Sequence, residues 1–281
     1  MVKSRSEGIL NVIAYVFVGI MVVFTLYPVA YTILGSLKTN QELTLGESIF
    51  PKTWQFKNYS AAFIQADFTR YTLTSLMVSL SAMIIGTITA SMAGFIFSRR
   101  RFIGKKLLLA LYVSMMFVAL GSVTLYPMYF LLSFFGLTKS FIGLILALTG
   151  GQAANVLLVM GFTNSIPREL DEAATIDGCT IYGIFVRIIF PLLKPILAVV
   201  ALFTFRNSWN EYIIPFILSI ANKNLKTLTV AVVQLKYAAQ AAAEWHIMLA
   251  GASIAIIPIL IVYLFANKQF ISGLTAGAVK G

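Results

Sequence analysis

Apolar residues in this chain neither alternate nor recur as narrow stripes. They run on in six long stretches, at approximately 10 to 35, 71 to 97, 107 to 128, 141 to 163, 195 to 218 and 246 to 266. A helix rising 1.5 Å per residue needs about 20 residues to cross a hydrocarbon layer roughly 30 Å thick, so each stretch predicts a membrane-spanning helix. Strands of a membrane barrel would need only about 10 residues and would alternate apolar with polar positions. The expected fold is therefore an all-α integral membrane protein with six transmembrane helices in a single domain over residues 1–281. The first stretch, LNVIAYVFVGIMVVFTLYPVAYTIL, is too long for the apolar core of a removable secretory signal and reads as the first span.

Composition agrees that lipid is the main solvent. Hydrophobic residues make up 59% of the chain and charged residues 11%, with a mean hydropathy of +0.89, a balance outside the range of soluble domains. A net charge of +11 raises nucleic acid as a partner. The basic residues, however, are split among short segments beside the spans, without the aromatic–basic platform that nucleic-acid binding uses. Their distribution points instead to topology. Lys3 and Arg5, the run Arg99, Arg100, Arg101, Lys105 and Lys106, then Arg168, Arg187, Lys194, Lys268 and Lys280 all fall on one side if six helices cross. Cytoplasmic loops carry the excess of Lys and Arg, so both termini are expected in the cytoplasm. The RRRFIGKK cluster also suits contact with anionic lipid. Cys179 and His246 are the only residues of their types and are expected on opposite sides, so neither a disulfide, a metal site nor a catalytic cluster is expected.

The longest outer segment, roughly 36 to 70, holds Gly46, Pro51, Trp54, Asn58 and Tyr59, which suits a compact extracytoplasmic cap or a plain connector. In the second span Gly86, Ala90 and Gly94 recur every four residues and predict a face that another helix can approach closely. Ser75, Ser79, Ser81, Thr87 and Thr89 in that span either bond back to helix carbonyls or line a polar path.

Between the fourth and fifth spans lies a polar loop, 164–194. Ser165 and Pro167 predict a helix start, with Glu169, Asp171 and Glu172 near the positive end of its dipole. Gly178 predicts the turn that ends it. A second short helix follows from about Ile181 to Ile189, halted by Pro191 and Pro195. Two adjacent alanines, Ala173 and Ala174, make the first helix slim enough to enter a cleft, and Glu172 offers a charge to an arginine there. Glu172, Ala173 and Ala174, then Gly178, Ile188 and Pro191, have the spacing of the EAA loop by which membrane permeases grip an ATPase, with Phe190 where Leu is usual.

On this loop, with YPVAYTILGSLKT, RRRFIGKK, NSWNEY and the closing GLTAGAVKG, the chain resembles permease subunits of carbohydrate-importing ATP-binding-cassette transporters of the maltose-type oligosaccharide family. The resemblance implies a type I importer permease architecture in a bacterial inner, or cytoplasmic, membrane. It also implies a homologous second permease subunit, two ATPase subunits and an extracytoplasmic sugar-binding protein as partners. Glu169, Glu172, Ala173, Ala174, Asp177, Gly178, Ile188 and Pro191 would couple to the ATPase. The segment of Gly273, Leu274, Thr275 and Gly277 would reach between the two ATPases, although a plain tail of small residues would look the same. The sequence lacks G-x-x-x-x-G-K-[ST], so no cofactor is expected on this chain, and ATP and Mg would be used by the ATPase.

One more polar cluster interrupts an apolar span. Arg206, Asn207, Trp209, Asn210 and Glu211 fall in the fifth stretch, where a charge is costly and normally faces protein or water. Asn207, Trp209, Asn210 and Glu211 could bind sugar by hydrogen bonds and stacking, or could join this helix to the second permease. The alternative class, a secondary transporter, would need paired membrane acids and usually an internal repeat, and only Glu211 is on offer. A membrane enzyme would need a nucleophile, base or metal cluster. The identity of the sugar is not written in the chain.

Overall fold

The computed structural model describes residues 5–46, 48–117, 121–237 and 243–278. The helices run in the order α1 (Arg5–Ser36), α2 (Asn40–Leu45), α3 (Lys57–Gln65), α4 (Phe68–Arg99), α5 (Lys105–Phe117), α6 (Leu125–Phe134), α7 (Phe141–Leu148), α8 (Ala153–Asn164) and α9 (Glu169–Ile176). They continue with α10 (Ile181–Ile184), α11 (Phe190–Leu192), α12 (Lys194–Asn210), α13 (Ile213–Ala221), α14 (Leu228–Gln234) and α15 (Trp245–Ala278). Among the described residues there is no strand, so the all-helical class stands.

Three of these elements are long and apolar enough to cross a membrane: Asn11–Ser36, Phe68–Arg99 and Trp245–Leu264. Two bent pairs would add a span each, Phe141–Leu148 with Ala153–Asn164 at 58° and Ile181–Leu192 with Lys194–Asn210 at 81°. The expected third span, 107 to 128, is divided between α5 and α6, with a 3-10 turn at Gly121–Thr124 leading into α6. The fifth, 195 to 218, breaks after Asn210. There the Glu211 carboxylate accepts hydrogen bonds from the Ile213 and Ile214 amides at 3.0 and 3.3 Å, and Pro215 lacks the N–H that would continue the ladder. A side chain that caps a new helix ends the old one, a contest that hydropathy does not register. The sixth runs past its expected end, and the tail expected over 267–281 has helical backbone as far as Ala278.

The chain forms two compact units. The first joins residues up to Thr69 with Ala231–Ile257 and contains the expected outer cap. Asn58, 3% exposed, donates to the Ser36 and Lys38 carbonyls at 2.8 and 2.9 Å. Thr39 and Glu42 form a capping box on α2, and the other oxygen of Glu42 accepts from the Lys52 amide at 2.9 Å. Asn40 donates to the Ala243 carbonyl and accepts from the Trp245 amide at 2.9 and 3.1 Å. Segment 36 to 70 is thus a folded cap rather than a loose connector.

The second unit, Arg70–Val230 with Pro258 onward, is organised on the small-residue face of α4. A Cβ at Gly94 would lie 2.7 Å from the Val159 Cβ and 2.9 Å from the Met160 nitrogen, and one at Gly86 would lie 2.9 Å from the Thr204 methyl. Ala90, between them, is fully buried. Helices α8 and α12 therefore approach α4 at the predicted positions, and Asn155 on α8 donates to Thr204 on α12 at 3.1 Å. Two of the five hydroxyls singled out on α4 serve the structure, whereas that of Thr87 is buried without a hydrogen-bond partner. Thr89 bonds back to the Ile85 carbonyl at 2.9 Å, and buried Ser75 accepts from the Leu228 amide at 2.7 Å.

Candidate functional site

Helix α9 begins without a side-chain cap. Arg168 stands at its N-cap position, whereas Ser165 bonds back to the Phe162 carbonyl at 2.8 Å, so the expected start at Ser165 is corrected by the pull of the preceding helix on that hydroxyl. An ion pair fixes the helix instead. Arg99, in the last turn of α4, places Nε 2.8 Å from Asp171 Oδ2, with its side chain only 4% exposed, and donates through Nη2 to the Ile166 carbonyl at 2.8 Å. The positive side chain also suits the negative end of the α4 dipole. Sequence reading grouped Arg99 with the topogenic basic residues and missed this role, because the acid it meets lies far along the chain.

Held in this way, α9 buries Ala174 and leaves Glu169, Glu172, Ala173 and Asp177 exposed. Glu169, Asp171 and Glu172 do sit in its first turn, as predicted. Gly178 follows with φ +78 and open space around its missing Cβ. That left-handed conformation costs most residues about 1–2 kcal/mol and glycine little, which explains the glycine there. Thr180 then caps α10, accepting from the Gly183 amide at 3.2 Å.

The predicted stop at Pro191 does not occur. The backbone opens into a π turn over Phe185–Ile189, with the Phe190 amide donating to the Phe185 carbonyl, and the helix continues through Pro191 to Leu192. A proline lacks the N–H for its own ladder bond and clashes with the carbonyl four residues back, and the wider turn accommodates both defects. The chain then turns by 81° into α12. Ile189 and Leu193 are fully buried beneath this corner, and Phe185 meets Phe95 and Phe190 at ring-centroid distances of 5.2 and 5.7 Å. The loop 164–194 is thus an exposed helix carried on a buried corner.

The polar stripe of α12 is divided by the fold. Arg206, Asn207 and Asn210 are exposed. Trp209 is 2% exposed, its ring stacked on Phe205 at 5.7 Å and its carbonyl accepting from Thr229 at 2.7 Å. Glu211 is half-buried as the cap of α13 described above. The structure brings Asn207 and Asn210 together on the open face and sends Trp209 to the interior. Gly273, Leu274, Thr275 and Gly277 lie on the helical backbone of α15, while residues 279–281 of the expected tail lie outside the described residues. Among the described residues no group of three His, Cys, Asp or Glu is placed to hold a metal, and Cys179 is a free thiol.

Residues 82–274 match the family described as "Binding-protein-dependent transport system inner membrane component". The arabinooligosaccharides transport system permease protein AraQ of Bacillus subtilis (strain 168) is 32% identical over 260 residues, covering 91% of this chain and 91% of that protein. The maltodextrin transport system permease protein MdxG of the same organism is 29% identical over 285 residues, covering 99% of each. Among solved structures, a chain of a bacterial ATP-binding-cassette transporter involved in the import of the acidic polysaccharide alginate superposes with a TM-score of 0.78 at 21% identity, covering 96% of this chain and 99% of that one.

Proposed function

The chain belongs to the binding-protein-dependent transport system inner membrane component family, and from that membership we infer that it serves as a permease subunit of an ATP-driven importer for a carbohydrate, most simply an oligosaccharide. It is a multi-pass membrane protein and a transport subunit rather than an enzyme. ATP hydrolysis belongs to a separate ATPase, which binds the nucleotide and Mg, and a solute-binding protein delivers the sugar. The finer reading adds six spans in a bacterial inner membrane, both termini in the cytoplasm, a second homologous permease and a pair of ATPases. Relatives named for arabinooligosaccharides and maltodextrin transport support the substrate class.

The observation that carries the coupling role is the exposure of Glu172 and Ala173 on a helix whose root is fixed by the Arg99–Asp171 pair. A lever needs a free tip and a rigid attachment, and α9 has both. Glu169, Glu172, Ala173, Ala174, Asp177 and Gly178 form the docking element, and Ile188 and Pro191 form the corner that passes its movement to α12. Asn207 and Asn210 face the translocation path, Glu211 sets the break that presents them, and Trp209 supports them from within. The end of α15, with Gly273, Leu274, Thr275 and Gly277, extends toward the ATPases.

The test is charge reversal at the tip. Glu172→Lys places a like charge against the arginine expected on the ATPase, and Gly178→Val strains the turn that presents α9. Both variants should insert into the membrane yet fail in sugar uptake and lose the ATPase on purification. Normal uptake with full retention of the ATPase in both would refute the docking role.

A further inference from the structure

Beside α9 the second unit contains a cavity of about 350 Å³, lined by residues of α4, α9 and α10 and by Arg100 and Arg168. Its apolar walls include Phe95 and Ile184, both buried, and the strongly exposed Ile176. Its charged walls are Arg99, Arg100 and Arg168 against Asp171 and Glu172. Arg99 and Asp171 neutralise each other, so two guanidinium groups face one carboxylate, and further along the chain come Arg101 and, at the start of α5, Lys105 and Lys106. Arg99 is also incompletely satisfied. Its Nη2 donates to the Ile166 carbonyl and its Nε lies 2.8 Å from Asp171 Oδ2, but Nε and Nη1, like Asp171 Oδ1, are buried without a hydrogen-bond partner. A buried donor of this kind is costly until an acceptor reaches it.

We propose that this cavity receives an acidic side chain of the partner ATPase, so that the ATPase grips α9 from both sides: the tip of α9 enters a cleft of the ATPase while a carboxylate of the ATPase enters this cavity. The proposal rests on the coupling role of α9 given above. Charge favours it, because a carboxylate entering the cavity meets Arg100 and Arg168 and brings an acceptor toward the guanidinium of Arg99. An apolar stem on the entering residue suits Phe95 and Ile184. An anionic lipid headgroup would share the attraction to arginine and the same repulsion from Glu172 and Asp171, but the exposed lip at Ile176 is on the very helix that docks. The site therefore fits a protein carboxylate better than a membrane surface.

Single cysteines in a Cys179→Ser background decide the matter in the complete transporter, assembled in nanodiscs. Thr175→Cys reports on the cavity, and Ala173→Cys reports on the same helix outside it. With the ATPase bound, a thiol reagent should label both at least about tenfold more slowly than without it, as expected for groups covered by an interface. Protection of Ala173→Cys alone would leave docking intact and overturn the cavity proposal. Protection of neither would overturn the docking role itself. Protection of Thr175→Cys without the ATPase, in anionic but not zwitterionic lipid, would assign the cavity to lipid and also overturn the proposal. Separately, Arg100→Glu and Arg168→Glu should each weaken ATPase binding about tenfold at low salt and less at high salt, since screening removes the charge term. A loss independent of salt would rule out an acidic occupant.

Discussion

At the scale of the residue, the pair of Arg99 and Asp171 carries more than its charges. Desolvating an arginine is expensive, and the pair is tolerated because attraction, the Ile166 carbonyl and the end of the α4 dipole offset the cost together. Removing one partner should therefore hurt more than removing both. Asp171→Asn should lower the unfolding free energy by about 2–3 kcal/mol, allowing for the partial exposure of Asp171, and should lower ATPase retention because the root of α9 loosens. The double change Arg99→Met with Asp171→Leu should recover much of that stability without restoring transport. Thermal unfolding of the purified complex, read beside uptake, checks both statements, and a double variant no more stable than Asp171→Asn would show that the pair is not the anchor. A second residue-scale case is Glu42. Its carboxyl is held below the ordinary carboxylate range chiefly by the hydrogen bond from the Thr39 amide. A depressed pKa means that the stabilisation is present at neutral pH and is lost as pH falls through the folded value. Acidification should thus loosen the α2 cap, and Glu42→Gln should remove much of that dependence. Identical pH profiles of thermal unfolding for the two proteins would contradict the assignment.

Elements explain what was legible in the chain and what was not. The small-residue face of α4 could be read at once, because a spacing of four puts Gly86, Ala90 and Gly94 on one side of any helix. Gly94→Leu should cost about 1–3 kcal/mol, since its Cβ would meet the Val159 side chain and the Met160 backbone. Gly161→Ala, where nothing stands within 4 Å, should be neutral or stabilising by up to about 1 kcal/mol. Equal melting temperatures for the two variants would mean that α8 does not pack as described. Helix α9 was legible for a different reason: the acids at its start and the glycine after it mark both of its ends. The break after Asn210 falls in the polar run from Arg206 to Glu211, which marks a polar face but not a helix end, and only the capping bonds to the Ile213 and Ile214 amides show where the helix gives way. The π turn at Phe185–Ile189 was equally invisible. A proline reads as a stop in one dimension, whereas buried neighbours such as Ile189 and Leu193 can pay for carrying a helix across it. The polar run around Trp209 did not reveal that its side chain lies in the interior, 2% exposed, while Asn207 and Asn210 stand on the open face.

For the molecule as a whole, the outstanding quantity is orientation, and it follows from charge rather than from packing. Arg100 and Arg101 between α4 and α5, with Lys105 and Lys106 at the start of α5, fall within a few residues, and the loop 164–194 adds Arg168 and Arg187. Segments holding Lys52 and Lys226 carry fewer basic residues per length, with Glu42, Glu47 and Glu244 offsetting them. Juxtamembrane Lys and Arg resist export, so the proposed orientation puts the dense set in the cytoplasm and the cap of segment 36 to 70 outside. The proposed coupling role asks for the same assignment, because a helix that docks an ATPase faces the compartment that holds ATP. Lys52→Cys and Lys226→Cys, each in a Cys179→Ser chain, should react with a membrane-impermeant thiol reagent added to intact cells, and Arg101→Cys should react only after the membrane is opened. Labelling of position 101 in intact cells with position 52 protected would invert the topology and put the docking helix on the wrong side of the membrane for an ATP-driven importer.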